Sequence, residues 1–262
     1  MTLPRPATSG LAIPTRALAV GAHPDDVEFG AGATLARWAE AGCEVSLVVC
    51  TDGSKGTWDP SADTEVLVAT RQAEARAAAA ALGATGEVVF LGRVDGELEN
   101  DRVTRSELAR VIRHLRPDVL LGHDPWKRYR LHPDHRAAGF LVCDALVAAR
   151  DPHFFPEHGL DPHRPAALLL FEADEADHAE PVDEHHLLAR IAALESHRSQ
   201  YESTMFITEP TEAASAQDAT LAGAVPATVA AFRAEQRQAL LDGGTWAGAA
   251  LAECFRYMPT DR

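Results

Sequence analysis

The sequence predicts an α/β fold: a Rossmann-like open, mostly parallel sheet with helices on both faces and a C-terminal helical cap. Three observations predict it. Short apolar runs alternate with amphipathic stretches of helical length along most of the chain, with polar loops between them. The chain has 262 residues, enough to bury one large core. Its 46% hydrophobic and 24% charged content is that of a globular protein rather than a disordered one.

The elements follow in order. Residues 1–15 are Pro-rich and are expected to form an irregular arm ahead of a single domain over 16–262. "ALAVG" (17–21) reads as a buried strand, and the helix around 29–42 places Leu35, Trp38 and Ala39 on one face. "EVSLVVC" (44–50) is the second strand, and 64–83 is a helix ending at Gly83, where a left-handed cap favours glycine. "EVVFLG" (87–92), a helix over 105–116 and "DVLLG" (118–122) continue the beat, and a further helix runs from "HPDH" to about Arg150. "AALLLFEA" (166–173) is the fifth strand, before a helix at 184–199. Residues 203–262 are expected as the helical cap and a last segment around "AECFRYM".

The formal charge of −15 argues against a nucleic acid or an anionic membrane as partner, because the mean field repels polyanions. The opening residues lack the apolar core of a signal peptide, and no segment approaches membrane-spanning length. Cys43, Cys50, Cys143 and Cys254 are scattered without a C-x-x-C pair, as in a reduced cytoplasmic protein. Cytoplasmic is the expected location.

Two tetrads carry the chemistry. "HPDD" (23–26) follows the first strand and "HPDH" (132–135) follows the fourth. In open parallel sheets, ligand sites form beyond the carboxyl ends of strands, where loops run into helix N-termini. Either tetrad alone reads as a helix cap: Asp25 with Glu28 resembles a capping box, and His132 or Asp134 precedes an apolar run. A cap needs one short polar side chain, whereas each junction here has three polar or ionisable groups. His23, Asp26 and His135 make two imidazoles and one carboxylate, the donor set of a catalytic zinc with a position left for water. Asp25 then stands beside the metal as a general base, and His132 as an acid or oxyanion donor. Asp134 is suited to orient His132 or a ligating imidazole. The set predicts hydrolysis of an amide or ester.

"AHPDD", "HPDH", "TDG" after the second strand and "HRSQ" (197–200) together resemble the GlcNAc-phosphatidylinositol de-N-acetylase-like (PIG-L/LmbE) superfamily, mostly zinc-dependent N-deacetylases of N-acetylglucosamine-containing compounds. The resemblance spans 17 to about 200 and is greatest to diacetylchitobiose deacetylase relatives. It implies one Zn²⁺ per subunit, with other divalent metals able to substitute, held by His23, Asp26 and His135. It also implies Asp25 as base, His132 as acid or oxyanion donor, and Arg71 and Asp95 on sugar hydroxyls. Trp126 and Arg130 are added as substrate contacts, an aromatic face for a pyranose and a cation for an anionic group. A family tyrosine two residues before the second tetrad is replaced by Arg130, with Tyr129 beside it.

The expected partner is a small acetamido sugar, with a homo-oligomer allowed by the resemblance. The alternatives are an amidase of the mycothiol-conjugate type, an Fe(II) oxygenase with the same ligand types, and a metal-dependent sugar-binding protein without catalysis. "DPHFFPEHGLDPH" (151–163) is read as a surface loop, and His185 and His186 as a solvated helix face.

Overall fold

Thr8–Ser9 (β1), inside the segment expected to be irregular, pairs in parallel with His178–Ala179 at one edge of the sheet. The computed structural model describes residues 6–208 and 226–260. Arg16–Gly21 (β2) leads into Asp26–Glu40 (α1), and Glu44–Thr51 (β3) into Thr64–Ala81 (α2). Val88–Arg93 (β4), Arg102–Leu115 (α3), Val119–His123 (β5) and Pro133–Arg150 (α4) continue the alternation. Ala167–Phe171 (β6), His178–Val182 (β7) and Glu184–Glu195 (α5) precede Ala227–Ala247 (α6) and Leu251–Pro259 (β8).

Among the described residues eight strands form one sheet in the order β1-β7-β8-β6-β5-β2-β3-β4. All pairings are parallel except those of β8, which runs antiparallel to both β6 and β7. The α/β class and mostly parallel sheet match the expectation. In the C-terminal region α6 is helical, and the last segment around "AECFRYM", whose form the sequence left open, is an interior strand. Its Leu251, Ala252 and Phe255 are buried in the sheet. The part of the expected cap at 209–225 lies outside the described residues. β7, "HAEPV", gave no strand signal because it carries a proline and few apolar residues.

Both faces of the sheet are covered, as period-2 burial on a parallel strand requires. Ala17 and Ala19 pack with Leu35 and Trp38 of α1 on one face. Leu18 and Val20 pack with Leu108 and Ile112 of α3 and Leu141 of α4 on the other. α2 starts at Asp63, whose carboxylate accepts from the Glu65 and Val66 N–H groups, and it gives way to Gly83 at φ +75°.

A buried polar knot anchors α1. Glu253 of β8 accepts from the Ala33 N–H at 3.0 Å and the Thr34 N–H at 2.7 Å, both inside that helix. Arg190 of α5 pairs with the same carboxylate at 3.0 Å and donates to the Phe29 carbonyl and to Gln236. Gly30 lets α1 lie against β6, since a Cβ there would come within 2.4 Å of the Phe171 ring. Among the described residues no helix is long and apolar enough to cross a membrane.

Candidate active site

β2 has β3 on one side and β5 on the other, so the chain leaves their carboxyl ends in opposite directions and opens a crevice there. The two tetrads face each other across it: His23–Asp26 between β2 and α1, and His132–His135 at the start of α4. A cavity of about 420 Å³ is lined by His23, Asp25, Asp26, Asp95, His132 and His135 among others, a size that accepts a small ligand.

The capping explanation divides between the tetrads. At α4, His132 does cap: its Nδ1 accepts from the Asp134 N–H at 3.3 Å. At α1, Asp25 occupies the cap position at φ +107° but its side chain makes no capping bond. A left-handed, non-glycine backbone costs about 1–2 kcal/mol, and here it frees the carboxylate for the cavity instead of the helix.

His23, Asp26 and His135 converge. His23 Nδ1 lies 3.2 Å from His135 Nε2 and 3.4 Å from Asp26 Oδ2, and His135 Nε2 lies 3.3 Å from Asp26 Oδ1. Donors about 2.0–2.1 Å from a tetrahedral zinc sit roughly 3.3–3.4 Å apart; the two imidazole nitrogens meet that spacing, and Asp26 meets it through a different oxygen toward each of them. Taking one ligand atom per residue, His23, His132 and His135 lie mutually within 4.8 Å, as do Asp26, His123 and His135, so the two groups share His135.

The outer hydrogen bonds fix the ligands. His23 Nε2 faces Asp134 Oδ2 at 3.1 Å and Asp95 Oδ1 at 3.2 Å, leaving Nδ1 for the centre. Asp134 is fully buried and also accepts from the Gly96 and Leu98 N–H groups. On the other side, His123 bridges Asp26 Oδ2 at 3.1 Å and Glu172 Oε2 at 3.2 Å. Arg130 closes the circuit, donating to Glu172 at 2.5 Å and to His135 Nδ1 at 2.6 Å. Glu172 sits at φ +57°, a second strained non-glycine position at the site.

The charges follow from these contacts. Burial alone would lower the His23 pKa, but its hydrogen bonds to Asp134, Asp26 and Asp95 outweigh burial and raise it to about 12. Despite burial, His123 and His135 hold the Asp26 carboxyl well below its usual range. Burial lowers His135 to about 4, against the pull of Asp26. Burial lifts Asp25 to about 6, while Arg71 draws it back. Burial and the charge of His23 lower His132, so it is neutral, with its ring proton on Nε2 because Nδ1 is accepting. A cation at the centre displaces the proton that His23 holds on Nδ1.

The expected substrate contacts fare differently. Arg71 and Asp95 line the cavity, but both are already engaged. Arg71 is buried and donates to the Gly53 and Pro24 carbonyls, 3.6 Å from Asp25. Asp95 faces His23 and accepts from the Lys55 N–H. Arg130 is turned inward to His135 and Glu172. Trp126 lies outside the cavity: its ring packs edge-on against Phe140, and it lines a separate groove with Arg128 and Arg256.

Sequence reasoning missed His123, Glu172, Lys55, Gln200 and Thr204. The first two stand directly after strand runs, where the tetrads themselves were found. Gln200 ends "HRSQ", and its side chain donates to the Gly56 carbonyl at 3.0 Å. His185 and His186 are not a plain solvated face, since both reach Glu40 and His186 is buried. His186 Nδ1 accepts from the Asp183 N–H, so its proton sits on Nε2 toward Glu40, making this group a helix cap rather than a metal site.

The family model for GlcNAc-PI de-N-acetylases (PIG-L) matches residues 18–146. Diacetylchitobiose deacetylase of Thermococcus kodakarensis is 33% identical over 189 residues, 71% of this chain and 70% of that protein. A 1D-myo-inositol 2-acetamido-2-deoxy-α-D-glucopyranoside deacetylase of Streptomyces avermitilis is 36% identical over 55% of this chain, which spans 57% of that relative's length. Among solved structures, N,N′-diacetylchitobiose deacetylase from Pyrococcus horikoshii with a bound inhibitor superposes with a TM-score of 0.77 at 28% identity, over 94% of this chain and 84% of the other.

Proposed function

Because the chain belongs to the PIG-L family of GlcNAc-PI de-N-acetylases, we propose that it hydrolyses the N-acetyl group from an N-acetylglucosamine-type sugar. The observation that carries this reading is the convergence of His23, Asp26 and His135, with donor atoms 3.2–3.4 Å apart through the two Asp26 oxygens, and the buried Asp25 carboxylate on the same cavity. A zinc-type cation held by those three residues would polarise the amide carbonyl and lower the pKa of water toward ~7.

The chain's own residues supply the rest. Asp25 takes the proton of the attacking water: its carboxylate lines the cavity and makes no capping bond to α1, with Arg71 3.6 Å from its Oδ2. His132 donates a hydrogen bond from its Nε2–H to the oxyanion as the carbonyl carbon becomes tetrahedral, keeping its proton. The proton on Asp25 passes to the amide nitrogen as the C–N bond breaks, releasing acetate and a free amine. His123, Glu172 and Arg130 keep Asp26 and His135 in place throughout.

The test is acetate release by the zinc-loaded protein from N-acetylglucosamine and its glycosides. Asp25→Asn should cut turnover about 10²–10⁴-fold while metal content stays the same. Parental turnover in that variant would remove Asp25 as base. Sugar binding without acetate from any acetamido sugar would replace hydrolysis by a binding function.

A further inference from the structure

We infer that Arg71 is a positioning residue for Asp25: its grip on the Pro24 carbonyl holds the Asp25 backbone left-handed and so keeps the carboxylate in the cavity. This rests on the deacetylase reading above. The sequence alone sets a different default. Aspartate is among the preferred N-caps, and capping takes an extended backbone with the carboxylate on the second or third N–H of the helix. Asp25, with Glu28 three residues on, has what such a cap needs, yet it holds φ +107° and makes no capping bond. A non-glycine residue leaves that region unless its surroundings hold it there.

The hold acts on both peptide planes that flank the residue. Ahead of Asp25, the Pro24 carbonyl accepts from Arg71 Nη2 at 2.8 Å. Behind it, the Asp25 carbonyl accepts from the Phe29 N–H at 3.1 Å, in the first turn of α1. One plane is tied to α2, which carries Arg71, and the other to α1, so the rotation between them is set. The same nitrogen that grips Pro24 lies 3.6 Å from Asp25 Oδ2, facing the carboxylate that it presents.

The guanidinium is itself held rigidly. Arg71 Nη1 donates to the Gly53 carbonyl at 3.0 Å in the loop after β3. That loop lies so close that a Cβ at Gly53 would come within 2.7 Å of Nη1, and one at Gly56 within 2.2 Å. Arg71 is 2% exposed, so water does little to compete for the Pro24 carbonyl. A guanidinium kept only for sugar hydroxyls would aim its donors into the cavity, whereas Nη1 and Nη2 are each already bonded to a main-chain carbonyl.

The experiment compares parent, Arg71→Met and Arg71→Lys on N-acetylglucosamine at matched zinc content, and determines the crystal structure of both variants. Without the Pro24 bond, Asp25 should turn to negative φ, with its carboxylate capping the N-terminus of α1. Misplacing a reacting group by an ångström costs up to about 10²-fold, so kcat of Arg71→Met should fall about 10–100-fold. Arg71→Lys, which keeps one donor nitrogen, should fall less; where the methionine variant does not fold, the lysine variant carries the same comparison. A loss confined to KM with kcat intact would make Arg71 a sugar contact and overturn the inference. The structures separate it from the deacetylase reading. If the parent releases no acetate but Asp25 turns to the cap on loss of Arg71, the positioning role stands and the deacetylase reading fails. Asp25 still at positive φ in the variant refutes the positioning role whatever the turnover.

Discussion

Replacing Glu253 by methionine should cost the folded protein about 3–5 kcal/mol, because it strands the Arg190 guanidinium without a counter-charge. Both residues are at most 5% exposed, so solvent does little to screen the loss. The Ala33 and Thr34 N–H groups lose their bonds to the carboxylate in the same step. Unfolding entropy is about 2.1 cal/mol/K per residue, or roughly 0.55 kcal/mol per degree for a chain of this length. The midpoint should therefore fall by about 5–9 °C. Arg190→Met alone should cost a similar amount, since it leaves a buried carboxylate. The double variant should recover most of the loss, because two apolar side chains of similar volume replace a pair whose desolvation roughly cancels its attraction. Calorimetric melting of the metal-loaded parent, both single variants and the double variant measures the coupling. Single variants costing under about 1 kcal/mol, or a double variant as damaged as the two singles added together, would refute the argument.

Three further outcomes follow from the geometry. Asp134→Asn should weaken zinc binding about 10–100-fold in chelator competition, since the carboxylate that orients His23 becomes an amide facing two backbone donors as well; unchanged affinity would end that assignment. In metal-free protein, burial raises Asp25 from 3.8 to about 6, so the stability it contributes is whole below pH 4 and is lost as pH rises through about 6. Asp25→Asn, which cannot ionise, should thus gain melting temperature relative to the parent between pH 4 and 7, and a gap independent of pH would contradict the shift. Gly30→Ala should cost about 1–3 kcal/mol by driving a methyl group into the Phe171 ring, with Phe171→Leu in the same chain relieving part of it in melting experiments.

The sequence was most legible where one physical rule governed a whole segment. Apolar strands buried on both faces announced β2, β3, β5 and β6, and the tetrads behind β2 and β5 placed six of the groups that meet in the crevice. What stayed hidden depends on long-range pairing. β7 is stabilised by its neighbours rather than by its own composition, and Thr8–Ser9 is a strand because β7 is there to pair with it. His123 and Glu172 each look like an isolated polar residue after a strand until Asp26 and Arg130 come up beside them. Arg130 is a related case: its charge suggested an anionic ligand, and Glu172 is an anion that the fold brings against it. Trp126 read as a sugar platform from type and neighbourhood, yet its ring packs against Phe140 beside a separate groove.

The placement of β8 has a consequence for how the molecule is made. Every residue that surrounds the crevice has been synthesised by Thr204, but the carboxylate that grips α1 belongs to a strand near residue 253. A ribosome that has released the first two hundred residues has delivered the full set of reactive groups and none of the clasp. Competence should thus arrive late and all at once, when the final strand slides between β6 and β7, and a nascent chain stalled before it should take up metal poorly.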